Sequence, residues 1–215
     1  MTLLEIQTLI SEWADDKEFG YFTKTALKSF INNAYIKVFK LLVLSGNNWW
    51  LREVQGSFIP GQDDYLLPVD CFQVRKIETY VSLNSRESRL PLNPITLSQR
   101  DAVSRVGEPR FYNMKNKSFV VAPSPDVQRY VSLHYIYTPA LLTGAGSSPD
   151  LPEEFHEMIA VLAAIDCFIK DGRDHQMLLD KKNEYLADIK RDSTERVTQG
   201  PREVRSTDFD SVGYF

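Results

Sequence analysis

The chain has 215 residues, and its 25 Lys and Arg against 29 Asp and Glu give a formal charge of −4. This length allows one domain or two small ones, and the slight acidity argues against a dedicated nucleic-acid-binding protein, which normally has a basic excess. No apolar stretch is long enough to span a membrane, so we expect a soluble protein, intracellular at synthesis. Because Cys71 and Cys167 are the two cysteines, a disulfide framework is excluded.

Residues 1–48 are predicted to form two helices. Thr2 and Glu5 have the spacing of a capping box at the start of the first helix. Thr23 is the expected cap of a longer helix that runs to about Ser45, before Gly46. The apolar residues of the first helix recur at helical spacing: Leu3, Ile6, Ile10 and Trp13.

From Trp49 to about Tyr137 the pattern becomes that of strands separated by short turns. Val127–Tyr137 alternates apolar and mixed residues, which is typical of a strand with one buried face. The short connections favour antiparallel pairing, and a capping box at Thr96 predicts one short helix over about 97–105. Strands are predicted over residues 50–59, 65–67, 72–81, 109–112, 118–121 and 127–137.

Residues 143–149, rich in Gly and Ser, are predicted to be a linker. Asp150 with Glu153 is the expected cap of a strongly apolar helix, and a last helix runs from His175 to about Arg191. We expect residues 1–48 and 150–192 to form one discontinuous helical bundle, with residues 49–142 inserted as an antiparallel β domain. The predicted fold class is α+β.

Residues 193–215 are polar and of mixed charge, which predicts an extended C-terminal arm. The arm can cross a neighbouring subunit and fold on binding, or it can be a frayed terminus without a role. Trp49 is either an interface anchor or, with Trp50, a core residue. The candidate interface residues with portal or subunit are Arg202, Arg205, Phe209, Tyr214, Phe215 and Trp49.

The sequence contains no convincing catalytic constellation. His156 and Glu157 begin a zinc-protease-like pattern, but Ala160 stands where the second His is required. We interpret His156 as part of a solvated acidic first turn, and His134 and His175 as surface groups. The sequence therefore predicts no enzyme, no catalytic residue, no cofactor and no metal site.

Four passages, in this order and spacing, resemble the head-to-tail adaptor proteins of tailed bacteriophages, a group that includes tail tubular protein A and podovirus adaptors. The passages are Phe30–Tyr35, Phe58–Asp70 leading into Val74–Ile77, Gly107–Tyr112, and Tyr135–Pro139 followed by Leu151–Phe155.

This resemblance implies a structural virion protein without enzymatic activity or cofactor. Such adaptors form a ring, usually a dodecamer, below the portal, join the capsid to the tail and continue the DNA channel. The implied partners are further copies of the chain, the portal protein, tail or nozzle proteins, and double-stranded DNA that passes without specific binding. The implied location is the virion neck, with the host cytoplasm during assembly, and in similar proteins the C-terminal arm lies along the portal.

The alternative function is a small α+β binding module for nucleic acid or for a protein partner outside a virion. Binding of nucleic acid requires a basic patch. In the arm, however, the Arg residues are offset by Glu and Asp: Glu195, Glu203, Asp208 and Asp210.

Overall fold

A computed structural model of the chain describes residues 1–16, 18–46, 48–81, 89–103 and 105–198, with side chains up to Arg191. These residues form two compact units. The helical unit contains the described residues before position 47 and those from Ala140 onward, and the β unit contains those between 48 and 139. The predicted α+β class is confirmed. The α-helices are α1 Leu3–Trp13, α2 Lys24–Leu44, α3 Leu97–Asp101, α4 His156–Asp171 and α5 Gln176–Thr198.

The first two helices begin where local sequence signals predict. The Thr2 side chain accepts from the Glu5 N–H, and the Glu5 carboxylate accepts from the Thr2 N–H, so the capping box is confirmed. Thr23 caps α2 by accepting from the Ala26 N–H. These contacts satisfy backbone donors that have no partner within the helix.

α4 is the central helix of the helical unit, because it packs against α1, α2 and α5. Ten of its sixteen residues are buried, as its apolar sequence predicts. It begins later than expected, after a 3₁₀ turn at Glu153–Phe155. Asp150 does not cap it; instead the Asp150 N–H donates to the Tyr35 hydroxyl at 2.9 Å. Pro152 precedes the turn and does not cap it, because its side chain has no hydrogen-bond acceptor.

α5 extends through Thr198, so residues 193–198, predicted as the start of an extended arm, are helical. The physical reason is the absence of a stop signal before Gly200 and Pro201. Polar residues alone do not end a helix, whereas Gly and Pro do.

The segment predicted as a linker is held on the helical unit by hydrogen bonds. The Leu3 and Leu4 N–H groups donate to the Ser147 and Ala145 carbonyls at 2.8 and 3.0 Å. Lys28 Nζ donates to the Thr143 carbonyl at 2.9 Å. This Gly- and Ser-rich segment therefore follows a defined path, because its backbone carbonyls have hydrogen-bond partners.

The β unit contains two four-stranded sheets and one short pair. The first sheet has the order β1-β10-β3-β4, the second β2-β8-β7-β5, and β6 pairs with β9. Most pairs are antiparallel as predicted, but the two-residue pairs β5–β7 and β6–β9 are parallel. Strands this short leave no periodicity in the sequence. The strands are β1 Leu51–Phe58, β2 Asp64–Leu66, β3 Cys71–Tyr80, β4 Leu90–Pro91, β5 Asn93–Pro94, β6 Val106–Gly107, β7 Phe111–Lys115, β8 Ser118–Ala122, β9 Ser124–Pro125 and β10 Arg129–Tyr137.

The two four-stranded sheets share one hydrophobic core. The predicted apolar face of β10, with Val131, Leu133 and Tyr135, packs in the same cluster as Phe119 and Val121 of β8. Alternation along each strand places these side chains on the inner face. The β unit is therefore a small sandwich.

One side of this sandwich is closed by the chain itself. Leu92 lies between β4 in the first sheet and β5 in the second, and its side chain is only 4% exposed. Its N–H donates to the Ile77 carbonyl in the first sheet at 2.8 Å, and the Asn93 N–H donates to the Arg110 carbonyl at 2.9 Å. On the opposite side lie β1 and β2, the other edge strands of the two sheets.

Candidate functional site

Among the described residues, no group of three or more His, Cys, Asp or Glu side chains is arranged to hold a metal ion. In the part of the chain that the structure describes, no helix is both long and apolar enough to cross a bilayer.

His156 is buried, which corrects its interpretation as part of a solvated turn. Its Nε2 lies 2.9 Å from the Leu151 carbonyl, and its Nδ1 lies 2.7 Å from the Met1 amino group. Burial lowers the pKa of the ring, and the positive charge of the amino group lowers it further. His156 is thus a structural residue that joins three segments of the helical unit.

His134 is also not a simple surface group, because it belongs to an outer-face network on the first sheet. The members of this network are Glu53, Glu78, Arg89, Ser132 and His134. His134 Nε2 lies 3.1 Å from a Glu78 oxygen, and the buried Ser132 hydroxyl donates to Glu53 at 2.5 Å. Arg89 lies 3.2 Å from Glu53.

The outer-face network is internally paired. The Ser132 hydroxyl is the main cause of the lowered pKa of the Glu53 carboxyl, although partial burial opposes it. Because each side chain contacts another member, the network stabilises the ionised carboxylates. His175, the third histidine, lies 3.1 Å from the Arg173 carbonyl at the start of α5.

Neither cysteine is placed as a reactive thiol. Burial raises the pKa of the Cys167 thiol to about 12. Burial and the nearby Asp70 carboxylate raise the pKa of the Cys71 thiol as well. Since the thiolate is the reactive form, both side chains are expected to be inert near neutral pH.

The two tryptophans differ in exposure. Trp50 is 1% exposed, whereas Trp49 is 38% exposed and meets Trp50 edge-on at 5.8 Å between ring centroids. Trp50 is therefore a core residue, and Trp49 remains the interface candidate of the pair. The other predicted interface residues lie outside the described residues: Arg202, Arg205, Phe209, Tyr214 and Phe215.

A groove opens on the side of the sandwich between β1 and β2, and we call it the open-side groove. Its volume is about 340 Å³, and none of the described residues that line it is charged. Phe119 and Leu133 of the core form part of its lining, Val54 and Gly56 contribute from β1, and Leu66 contributes from β2.

Gly56 keeps this groove open. A Cβ at this position would lie 3.5 Å from Val131 Cγ1, so any larger side chain would extend into the space over the core. The sequence signal was a glycine within a strand, which often marks a close approach of other atoms. The groove was not predicted from the sequence, although this glycine is visible in it.

The groove continues past Leu66, at the end of β2, into an exposed loop, residues 67–70, that connects β2 with β3. Leu66 is 84% exposed and Val69 is fully exposed. The loop is anchored by Asp70, whose carboxylate accepts from Arg52 at 2.7 Å and from the Tyr135 hydroxyl at 3.1 Å. An apolar surface of this kind on an anchored loop is typical of a protein interaction site.

A protein-family model described as SU10 adaptor protein matches residues 1–205, which include the described residues of both units. No curated protein matches the chain at a significant level.

Proposed function

Because the chain belongs to the SU10 adaptor protein family, a family of bacteriophage head-to-tail adaptors, we propose that it forms a ring, expected to be a dodecamer, between the portal and the tail. Membership of the family makes the chain a structural component of a phage virion. The observation that carries the proposal is the match over residues 1–205, since it is not confined to one motif or one unit.

The surface of the β unit supports assembly with other copies. A ring needs heterologous contacts, in which two different surfaces of each subunit meet. No charged side chain is found among the described residues that line the open-side groove, Leu66 at the end of β2 is exposed, and the adjoining loop exposes Val69. Uncharged apolar surface is characteristic of the centre of stable interfaces.

The charge of the chain supports a channel through which DNA passes. Double-stranded DNA carries one negative charge per about 1.7 Å of axis, so a basic wall binds it in a salt-dependent way. A subunit with a formal charge of −4, repeated around a ring, favours passage over retention.

We place the remaining sequence-based candidates at the contacts with the portal and with neighbouring subunits. These residues are Arg202, Arg205, Phe209, Tyr214, Phe215 and Trp49. Aromatic and Arg side chains supply much of the binding energy of many interfaces. The tail or nozzle proteins are the proposed partners on the opposite side of the ring.

The proposal is tested by deleting residues 199–215, which leaves α5 intact. We expect the truncated protein to remain folded and to lose attachment to purified portal rings, because the aromatic side chains of the arm are removed. Co-sedimentation and negative-stain imaging measure the attachment. The triple variant Phe209→Ala, Tyr214→Ala, Phe215→Ala should match the deletion.

A variant with Ser206→Ala and Ser211→Ala is the matched control, since it changes the same segment without removing an aromatic side chain. It should attach to portal rings as the unmodified chain does. Attachment of the truncated protein at the unmodified level would contradict the proposed role of the arm.

A further inference from the structure

The two sides of the β sandwich are unequal. Residues 90–94 pass from the first sheet to the second and bury Leu92 in the core. On the other side, β1 pairs only with β10 and β2 only with β8 among the described strands. The core residues Phe119, Val131 and Leu133 line the open-side groove there.

On the open side, the part of β1 that lines the groove lacks the protection that edge strands normally have. Natural edge strands are protected by charges, prolines or a covering segment. In β1, Arg52 and Glu53 lie at the beginning of the strand, and the stretch Val54–Ser57, which lines the groove, contains no charge. An uncharged strand edge beside an apolar groove is expected to be covered in the working assembly.

Residues 90–94 show what kind of segment fits such a side. They are extended, pair by two residues with each sheet, and insert one large apolar side chain, Leu92, between the sheets. A segment on the open side would use the same features: an extended backbone beside β1 or β2 and one large apolar anchor.

Residues 199–215 of the chain have this chemistry. They include three aromatic residues, Phe209 and the adjacent pair Tyr214 and Phe215. Fully extended, they reach about 55 Å, which is long enough to leave one subunit and cross part of the next.

We propose that the open-side groove of one subunit binds the C-terminal arm, residues 199–215, of a second copy, with an aromatic side chain as the anchor. The arm adds its backbone to the exposed edge of β1 or β2, and its anchor fills the space above Gly56. This inference rests on the proposed ring, and within the contacts proposed above it assigns an aromatic side chain of the arm to the neighbouring subunit.

The test uses the full chain with Tyr214→p-benzoyl-phenylalanine, which keeps an aromatic side chain and forms covalent crosslinks on illumination. Unlabelled and ¹⁵N-labelled chains are mixed, illuminated with and without portal rings, and digested for mass spectrometry. We expect crosslinks to residues 54–67 of the other isotopic form. Crosslinks to the same chain, to the portal alone, to other residues, or none at all would overturn the inference.

Two substitutions in the groove make the test specific. Leu66→Asp should lower the yield of crosslinks between copies at least about tenfold, because a charge enters an apolar contact. Gly56→Val should have the same effect by filling the groove. We expect both variants to fold, because Leu66 is 84% exposed and the Cβ of the introduced valine would meet Val131 Cγ1 at an ordinary contact distance.

Leu97→Asp is the matched control, since Leu97 is 63% exposed on α3 and does not line the groove. Its crosslink yield should equal that of the unmodified groove. An equal loss of crosslinks in Leu97→Asp and Leu66→Asp would overturn the inference.

Portal attachment of the same samples separates the two proposals. Crosslinks in the neighbour's groove without portal attachment support the inference and contradict the proposed function. Portal attachment together with crosslinks outside the neighbour's groove supports the proposed function and contradicts the inference.

Discussion

At the scale of single residues, Glu157 illustrates how a polar contact joins two helices of the helical unit. Its carboxylate on α4 accepts from Lys181 and from the Tyr185 hydroxyl on α5, the latter at 2.8 Å. Lys181 is the main cause of the lowered pKa of Glu157. Burial, followed by the Glu157 carboxylate, raises the pKa of Tyr185. The ionised carboxylate and the neutral phenol therefore stabilise the α4–α5 contact together.

Glu157→Gln should make the free energy of unfolding of the chain less dependent on pH in the acid range. Because the pKa of Glu157 is lowered in the folded state, its stabilisation is complete above the ordinary value of 4.5 and is lost as the pH falls through the folded pKa. Near neutral pH we expect the variant to be about 1 kcal/mol less stable. Urea unfolding measured across this pH range should show the difference shrinking below 4.5.

The control for this variant is Glu154→Gln, at an exposed acid in the 3₁₀ turn before α4. It should leave the free energy of unfolding at neutral pH nearly unchanged. If the free energies of unfolding of Glu157→Gln and of the unmodified chain differed by the same amount at every pH, a stabilising contact of the ionised Glu157 carboxylate would be ruled out.

The residue scale also shows which polar roles can be read from sequence. The boxes at Thr2 and Thr96 were predictable, because both partners lie within three residues of each other. The burial of His156 was not, since one of its partners is Met1, 155 positions away in the chain. The same applies to His134, whose partner Glu78 lies on another strand, 56 positions away in the chain.

At the scale of elements, Asn32 links α2 to the start of the segment that precedes α4. Its Oδ1 accepts from the Leu142 N–H at 2.8 Å, and its Nδ2 donates to the Leu142 carbonyl at 3.1 Å. One side chain thus satisfies both backbone groups of a residue outside any helix or strand, and Leu142 itself is buried.

Asn32→Ala should destabilise the helical unit by about 1–3 kcal/mol, because it leaves two partly buried backbone groups without partners. Thermal or urea unfolding followed by circular dichroism measures the loss. Asn33→Ala is the matched control, as the same substitution at an exposed neighbour in the same helix. Equal stabilities of the two variants would show that the contact with Leu142 contributes nothing.

Element types were easier to predict than element ends. α1, α2 and the long strand β10 carry strong periodicity, and the structure confirms them. α3 is shorter than predicted and α5 is longer. The two-residue strands β4, β5, β6 and β9 were missed, because their pairing depends on contacts between distant parts of the β unit.

At the scale of the whole molecule, charge separates the adaptor from the alternative binding module. A nucleic-acid-binding module should bind duplex DNA with sub-micromolar affinity that falls steeply with salt. A formal charge of −4 predicts instead that the chain does not bind duplex DNA with this affinity.

In a filter-binding assay with a short DNA duplex, we therefore expect the full chain to show no sub-micromolar affinity, even at low salt. Deletion of residues 199–215, which removes Arg202 and Arg205, should change nothing in this assay. Tight binding that weakens as salt is added would favour the alternative function.

By itself, the sequence determined the α+β class, the main helices and strands, and the order of passages that resembles phage adaptors. These features depend on local periodicity, capping and turn residues, which act over a few positions. Only the tertiary structure decided that one side of the sandwich is closed by Leu92 and the other remains open beside Gly56. The reason is that an exposed edge arises from the pairing of strands distant in sequence, and no local pattern encodes which edge is left without a neighbour.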